Sequence, residues 1–409
     1  MAVDGGDLPF AGGLLALLRP ALDLVPAGGV VALLSDSASV REDVASWCRA
    51  ERHDFLGTDE VAPGRFAHRI VRGSLGVPRG PREDGLRLPT EGGRVTASSM
   101  LEAVPFPAHA DPGSGFAPRG ARVEPGGPAY PFDLVDRDRA APPEVARLYD
   151  QAVAAQWDAT KDVPWSKVGD HAPALERAVG QVMTFLAENE LSALYVPARF
   201  LPRIHPAYAE TAMLLASQMA DEARHIDVFL KRARVGGAGV GVSSATTSRS
   251  LLSLLEVGDF TEAEFLLAVL GEGTFLDLLR FVGDHAPDEA TEVLVTRARA
   301  DETRHVHFGL AHVRHALSTD ATLYPRLEAA VRRRAATLHD AGGVPAALQD
   351  ALTVLAAGGT APRAIAKGHD AFRELLDVMG ENRVKRLVHA GFSDLQAQTL
   401  SGLHTANFM

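Results

Sequence analysis

The feature that constrains this chain most is a pentapeptide that occurs twice, Asp221-Glu222-Ala223-Arg224-His225 and Asp301-Glu302-Thr303-Arg304-His305. Four specified residues recur at ordinary amino-acid usage on the order of once in 10⁵ positions, so two copies in one chain need a common cause. On a helix, residues three apart share a face, with Cβ atoms ~5–6 Å apart. Glu222 with His225, and Glu302 with His305, can therefore each aim a carboxylate and an imidazole at one spot. Asp221 and Asp301 stand beside these pairs, placed to accept the second ring N–H of the opposite helix's histidine. Arg224 and Arg304 would neutralise those aspartates by bidentate pairing.

One acid inside an apolar stretch precedes each copy: Glu190, with Glu188 as its rival, and Glu272. If acid and pentapeptide lie at equal depth on an antiparallel helical hairpin, the turn falls midway between them. The midpoint of 190 and 222 is Pro206, and that of 272 and 302 is Pro287, both helix breakers. Glu190 is preferred to Glu188 because it continues the apolar face of Val179, Met183, Leu186 and Ala193. Its span of 32 residues is also nearer the 30 of the second hairpin. Between the hairpins, 234–258 contains Gly236, Gly237, Gly239 and Gly241 and reads as a long flexible crossover. Two Glu-x-x-His helices plus one Glu from each of two others is the ligand set of ferritin-like di-metal bundles. Charge balance gives the reason for a metal: four inward carboxylates are costly to desolvate and repel one another. Two divalent cations cancel them and leave two neutral imidazoles. Oxygen and imidazole ligands suit iron or manganese, so the expected cofactor is two Fe ions, with Mn/Fe as the alternative.

The rest of the 409 residues narrows the setting. Hydrophobic residues at 46% and charged residues at 23% are the balance of a folded globular chain. A net charge of -11 gives no electrostatic support to nucleic acid or an anionic membrane as partner. The most apolar early stretch, 14–33, is broken by Arg19, Pro20, Asp23 and Pro26, and no window supplies a membrane span. The amino terminus lacks a basic cluster before an apolar run, so the expected location is the cytoplasm. The single cysteine, Cys48, excludes disulfide frameworks, thiolate zinc sites and cysteine-ligated clusters, and reads as a small buried hydrophobe.

Three regions are expected. Residues 1–75 form a small α/β domain: a helix over 14–24, a strand at 30–34, a helix over 37–51 and a strand at 66–71. Its Asp36-Ser37-Ala38-Ser39 helix start and Trp47-Cys48 pair give it a weak resemblance to the TusA-type sulfur-carrier fold. Proteins of that type carry sulfur on a cysteine just before the first helix; positions 10–12 hold none here. The resemblance therefore implies a docking or structural unit. Residues 76–141, with 10 Gly and 10 Pro in 66 positions, are a linker or wrapping segment. Residues 142–409 read as a mainly α, ferritin-like four-helix bundle with additional C-terminal helices. The candidate helices are 143–157, 172–200, 207–234, 261–284, 288–317, 321–340, 344–356, 363–378 and 381–403.

Glutamate, about thirty residues, then Asp-Glu-x-Arg-His, twice over, resembles the signature of bacterial di-iron monooxygenases and acyl-carrier-protein desaturases of the ferritin-like superfamily. Gln156-Trp157, Pro164-Trp165 and the tail 391–409 look like parts of such oxygenases as well. The resemblance implies an O2-dependent di-iron monooxygenase or oxidase. Its centre would be held by Glu190, Glu222, His225, Glu272, Glu302 and His305, and it would oxidise a small organic substrate, carrier-bound or free. C–H hydroxylation, desaturation and amine N-oxygenation are all open. Ribonucleotide reductase small subunits place a radical-forming tyrosine four residues after the first ligating histidine; Phe229 stands there, and Gly309 in the second copy. Gly271 and Gly273 flank Glu272 at a cost of ~1 kcal/mol each in mid-helix, pointing to space beside the metals or to close helix packing. With no Gly-x-Gly-x-x-Gly unit after a strand, electrons would come from a separate reductase. Related amine oxidisers add a further His ligand, for which His171, His205, His285 and His307 are candidates. A homodimer is compatible with all of this, and the competing function is a ferritin-like metal-binding or iron-storage protein.

Overall fold

The computed structural model describes residues 1–74, 88, 90, 92–338 and 343–404. The start of the expected linker, the end of the helix expected at 321–340 and the last five positions of the tail lie outside the described residues. Contacts divide the chain into two compact units: Met1–Gly85 with Gly113–Ala129, and Leu86–Pro112 with Tyr130–Met409.

The first unit is a four-stranded sheet with two helices. Its elements run β1 (Ala2–Asp4), α1 (Leu14–Asp23), β2 (Val30–Ser35), α2 (Ala38–Ala50), β3 (Asp54–Ala62) and β4 (Arg65–Val71). The spatial order is β1-β2-β4-β3, with β1 parallel to β2 and the remaining pairs antiparallel. Leu14, Leu18, Val31, Leu33, Val40, Val44 and Ile70 close one small core between helices and sheet. β3 is absent from the expected elements because it is an edge strand whose Asp54, Glu60, Val61 and Ala62 face solvent, leaving no apolar alternation to detect. Cys48 is fully buried, and burial pushes its thiol up to about 11, so it packs as an inert apolar side chain.

The second unit is mainly α and ferritin-like. After the short helices α3 (Ala97–Glu102), α4 (Arg137–Ala140) and α5 (Val145–Ala154) come two long hairpins. The first is α6 (Pro173–Phe200) and α7 (Ala209–Val235), joined by a turn that contains Pro206. The second pairs one long helix with α11 (Glu289–Thr319) through a turn that contains Pro287. That helix is built from α9 (Phe260–Glu264), a π-helical stretch over Phe265–Glu272 and α10 (Gly273–Asp284). Asp288 caps α11 by accepting from the Thr291 amide at 2.8 Å, and the negative side chain also suits the positive end of the helix. Along α11 the buried positions Leu294, Val295, Ala298, Asp301, Glu302, His305, Gly309, His312, Val313 and Ala316 recur at helical spacing, so the pentapeptide interrupts an apolar stripe in mid-core. Helices α12 (Leu323–Leu338), α13 (Ala346–Ala357), α14 (Pro362–His389) and α15 (Asp394–Leu403) pack outside the hairpins.

The crossover differs from the flexible link expected at 234–258. It carries α8 (Ala245–Leu255), started by Ser244, whose hydroxyl accepts from the Thr247 amide. Its glycines lie flat against α6: Gly241 N–H donates to Thr184 Oγ1 at 2.7 Å, and the Gln181 amide clasps both backbone groups of Val242. A Cβ on Gly180 would stand 2.5 Å from the Gly239 carbonyl, so this close approach requires glycine. At the C-terminus, Gly380 does not break the helix as expected. α14 continues to His389, and the break comes at Gly391, whose φ of 101° reverses the chain before the Ser393–Gln396 capping box.

Within the second unit the Pro-rich segment is bound to the bundle. Asp150 accepts from the amides of Ala97 and Ser98, Tyr208 Oη donates to the Val135 carbonyl at 2.7 Å, and Thr211 Oγ1 donates to that of Ala140. No helix among the described residues is long and apolar enough to cross a membrane.

Candidate metal centre

Glu190 from α6, Glu222 and His225 from α7, Glu272 from the π-helical stretch, and Glu302 and His305 from α11 come together in the middle of the bundle, each 3% exposed or less. They form two groups of four. Glu190, Glu222, His225 and Glu302 offer ligand atoms within 4.8 Å of one another, and so do Glu222, Glu272, Glu302 and His305. Glu222 and Glu302 belong to both groups, which makes them the shared pair, with Glu190 and His225 at one end and Glu272 and His305 at the other. His225 Nδ1 lies 3.2 Å from both Glu222 and Glu302 and 3.7 Å from Glu190. His305 Nδ1 lies 3.0 Å from Glu222 and 3.4 Å from Glu302. Glu188, the rival of Glu190, is only half-buried and stands outside both groups.

The aspartates of the repeat cross over. Asp301 sits 3.1 Å from His225 Nε2, and Asp221 sits 3.3 Å from His305 Nε2. Each carboxylate thus takes the outer ring N–H of the other copy's histidine and leaves Nδ1 free to act as a ligand. Arg224 and Arg304 each reach both aspartates, tying the two copies into one network. Trp157 Nε1 donates to Asp301 at 2.7 Å and Gln156 Nε2 to Asp221 at 3.0 Å, so the Gln156-Trp157 element closes this network from α5's end. These contacts hold Asp221 and Asp301 below the usual carboxylate range, although burial alone would raise both.

Several polar atoms of the six inward groups, by contrast, lack partners. Glu190 Oε1, Glu222 Oε1, Glu272 Oε2, both oxygens of Glu302 and His305 Nδ1 are buried without a well-formed hydrogen bond. Two ionised carboxylates ~5 Å apart repel by about 3 kcal/mol at an effective dielectric of about 20. The metal-free cluster relieves this with protons. Burial, then the charges of Glu302 and Glu222, drive Glu190 and Glu272 well up. Burial would lower His225 and His305, but the surrounding carboxylates overcome it and raise both. Burial would likewise raise Glu222, yet the two imidazoles pull it down. Divalent cations would take over the charge balance and satisfy the orphaned oxygens, so the residues present fit a dinuclear metal group.

Three features escape a reading from the sequence. Gln218, one turn before Glu222, donates to Glu272 Oε1 at 3.2 Å and fixes its carboxylate; its spacing on the ligand face is the only signal. Glu264 is fully buried one π-helical stretch before Glu272, and burial raises it to about 8 against a smaller opposing influence of His305. The π-helix itself, with its wider turn, sets how Glu264 and Glu272 are phased, and such segments concentrate at functional sites. Of the two glycines that flank Glu272, Gly273 is packed against a neighbour, since a Cβ there would meet Arg386 Nε at 2.7 Å; Gly309 on α11 is packed likewise, where a Cβ would meet Ala268 Cβ at 2.5 Å. Phe229 is fully buried with its ring 6.3 Å from that of His225. None of the four further histidines joins either ligand group. His205 donates to the Asp111 carbonyl, His285 lies edge-on to Phe281, and His307 faces solvent. His171 belongs to a separate cluster with Glu176 and Asp288.

No protein-family model and no curated protein matches the chain. Among solved structures it is similar to a mutant of an R2-like ligand-binding oxidase with an aerobically reconstituted Mn/Fe cofactor. Identity there is 16%, over 62% of this chain and 94% of the other, with a TM-score of 0.49. A second mutant, with an anaerobically reconstituted Mn/Fe cofactor, matches at 18% identity over 62% and 94%, TM-score 0.47. An R2-like ligand-binding oxidase after photoconversion matches at 15% over 65% and 94%, TM-score 0.43. At this distance any assignment of chemistry rests on the side chains of the chain itself.

Proposed function

We propose that this chain is an O2-dependent oxidase or oxygenase with a dinuclear metal centre, acting on a small organic substrate. The observation that carries the reading is the pair of buried four-ligand groups that share Glu222 and Glu302. Glu190 and His225 would complete one ion's protein ligands, Glu272 and His305 the other's. Both ligand types suit iron and manganese, and the Mn/Fe cofactors named for the R2-like ligand-binding oxidases are of that kind. Such a pair, when bound and reduced, supplies electrons to O2 and oxidising power toward a C–H or N–H bond.

The protein's own contributions follow from the geometry. Asp301 and Asp221 hold the outer protons of His225 and His305, so that both rings present Nδ1 inward. Gln218 orients Glu272. Phe229, Phe265 and Leu270, all fully buried, belong to the apolar core that keeps bulk water out. A reductase on a separate chain is the electron source in this reading.

The test is anaerobic loading with Fe(II), alone or with Mn(II), followed by a measured pulse of O2. Rapid O2 uptake that is abolished in Glu222→Ala and His305→Ala supports the reading. Metal uptake with neither O2 consumption nor substrate oxidation would favour storage, and uptake equal to the parent in both variants would overturn the site.

A further inference from the structure

Two arginines on α14 face inward with too little negative charge to meet them. Arg383 is 8% exposed, and among the described residues no hydrogen bond or ion pair holds its guanidinium. Its Nε is buried without an acceptor, as are Nε and Nη2 of Arg386 one turn on. The carboxylate that acts on both is Asp277 of α10, which is already engaged. It accepts from Arg386 Nη1 at 3.1 Å and from the Asn382 amide at 2.7 Å, and Arg280 stands 3.6 Å away. Burial, with each guanidinium next to the other's charge, pulls Arg383 down to about 10. A buried guanidinium is normally paired, and each unmet N–H there carries a desolvation cost.

The position matters as well. The Arg386 side chain packs close on Gly273, where a Cβ would lie 2.7 Å from Nε and 3.0 Å from Cδ, so any larger residue there would displace the guanidinium from its present position. Gly273 directly follows Glu272 at the start of α10. We propose that Arg383 and Arg386 form a binding site for the oxyanion of a small molecule, a carboxylate or a phosphate, beside the helix that carries Glu272. Planar guanidinium forks match both groups, and Arg383 Nε, Arg386 Nε and Arg386 Nη2, buried without acceptors, are the nitrogens such an oxyanion would satisfy. The site owes nothing to the metal ligands, so it stands or falls independently of the proposed centre.

The experiment is calorimetric titration of the full chain, metal-loaded and metal-free, with octanoate, with its uncharged counterpart octanamide and with inorganic phosphate. The expected result is saturable octanoate binding, no octanamide binding, and the same affinity with and without metal. Arg383→Gln and Arg386→Gln should each weaken it at least tenfold, with Arg386→Lys intermediate. Phosphate that displaces octanoate identifies a general oxyanion site, and phosphate that binds while octanoate does not identifies a phosphate site; either supports the proposal. If the Gln variants fail to fold, the octanoate–octanamide contrast in the parent still decides. Absence of binding by both anions, equal binding of the amide, or octanoate binding that needs the metal would overturn it.

Discussion

Among the described residues of the bundle, two clusters of carboxylates and histidine, one largely and one wholly buried, differ in where their positive charge comes from. In the first, Glu176 and Asp288 face His171, and Arg232 fills the space between them. Arg232 is fully buried; it grips Glu176 with both terminal nitrogens at 3.0 and 3.1 Å, reaches Asp288 at 2.8 Å and donates from Nε to Thr291 at 2.6 Å. In the second, four glutamates and two histidines converge with no arginine or lysine among them, and several of their oxygens have no partner. The arginines of that region, Arg224 and Arg304, stand one layer out, on Asp221 and Asp301. One cluster carries its own cation as a side chain and is a lock between α6, α7 and α11. The other leaves room for cations from outside. Composition alone does not separate a structural acid–histidine cluster from a metal site; the placement of arginine does.

The contrast can be broken in order of expected effect. Glu222→Ala with Glu302→Ala removes the shared pair, and elemental analysis should find both ions lost while His171, Glu176 and Asp288 gain none. Arg232→Met leaves Glu176 and Asp288 buried without their cation. It should cost about 3–5 kcal/mol in denaturant unfolding, with metal content per folded chain unchanged. Asp301→Asn keeps the shape but weakens the hold on the outer N–H of His225. It should lower metal affinity by about 10–100-fold in a competition titration on the folded chain.

Acidity separates Asp288 of the first cluster from Glu190 and Glu272 of the second by sign. Hydrogen bonds from Thr291 and the charge of Arg232 hold Asp288 below its ordinary value against burial. Its stabilisation is present above the unfolded carboxylate pKa and is lost as pH falls through the lowered native value. Glu190 and Glu272 are raised, so in the metal-free chain their contribution is full below the unfolded value and is lost as pH rises through the native one. Metal ions displace those protons, so affinity should rise with pH, with proton release on binding detectable in weakly buffered solution. A metal affinity independent of pH would contradict the raised pKa values of Glu190 and Glu272 in the absence of metal.

What was legible beforehand divides along the same physical line. The repeat and the prolines midway between acids and pentapeptides depend on periodicity and turn chemistry within one or two helices, so Glu190, Glu222, Glu272 and Glu302 could be named together. Gln218 and Glu264 join the cluster through packing between helices, which a linear pattern does not encode. The same is true of Arg383 and Arg386, which are brought against Asp277 from more than a hundred residues away. The π-helical stretch is apolar throughout and looks from its composition like any buried helix. In the small α/β unit, the buried strands β2 and β4 were visible as apolar runs, whereas the solvent-facing edge strand β3 was not.

The most direct test is anomalous diffraction from crystals of the full chain loaded with Fe(II), or with Mn(II) and Fe(II). The account predicts two peaks per chain, one bounded by Glu190, Glu222, His225 and Glu302 and the other by Glu222, Glu272, Glu302 and His305. No peak at these positions, or a peak at His171, Glu176 and Asp288 in their place, would contradict it.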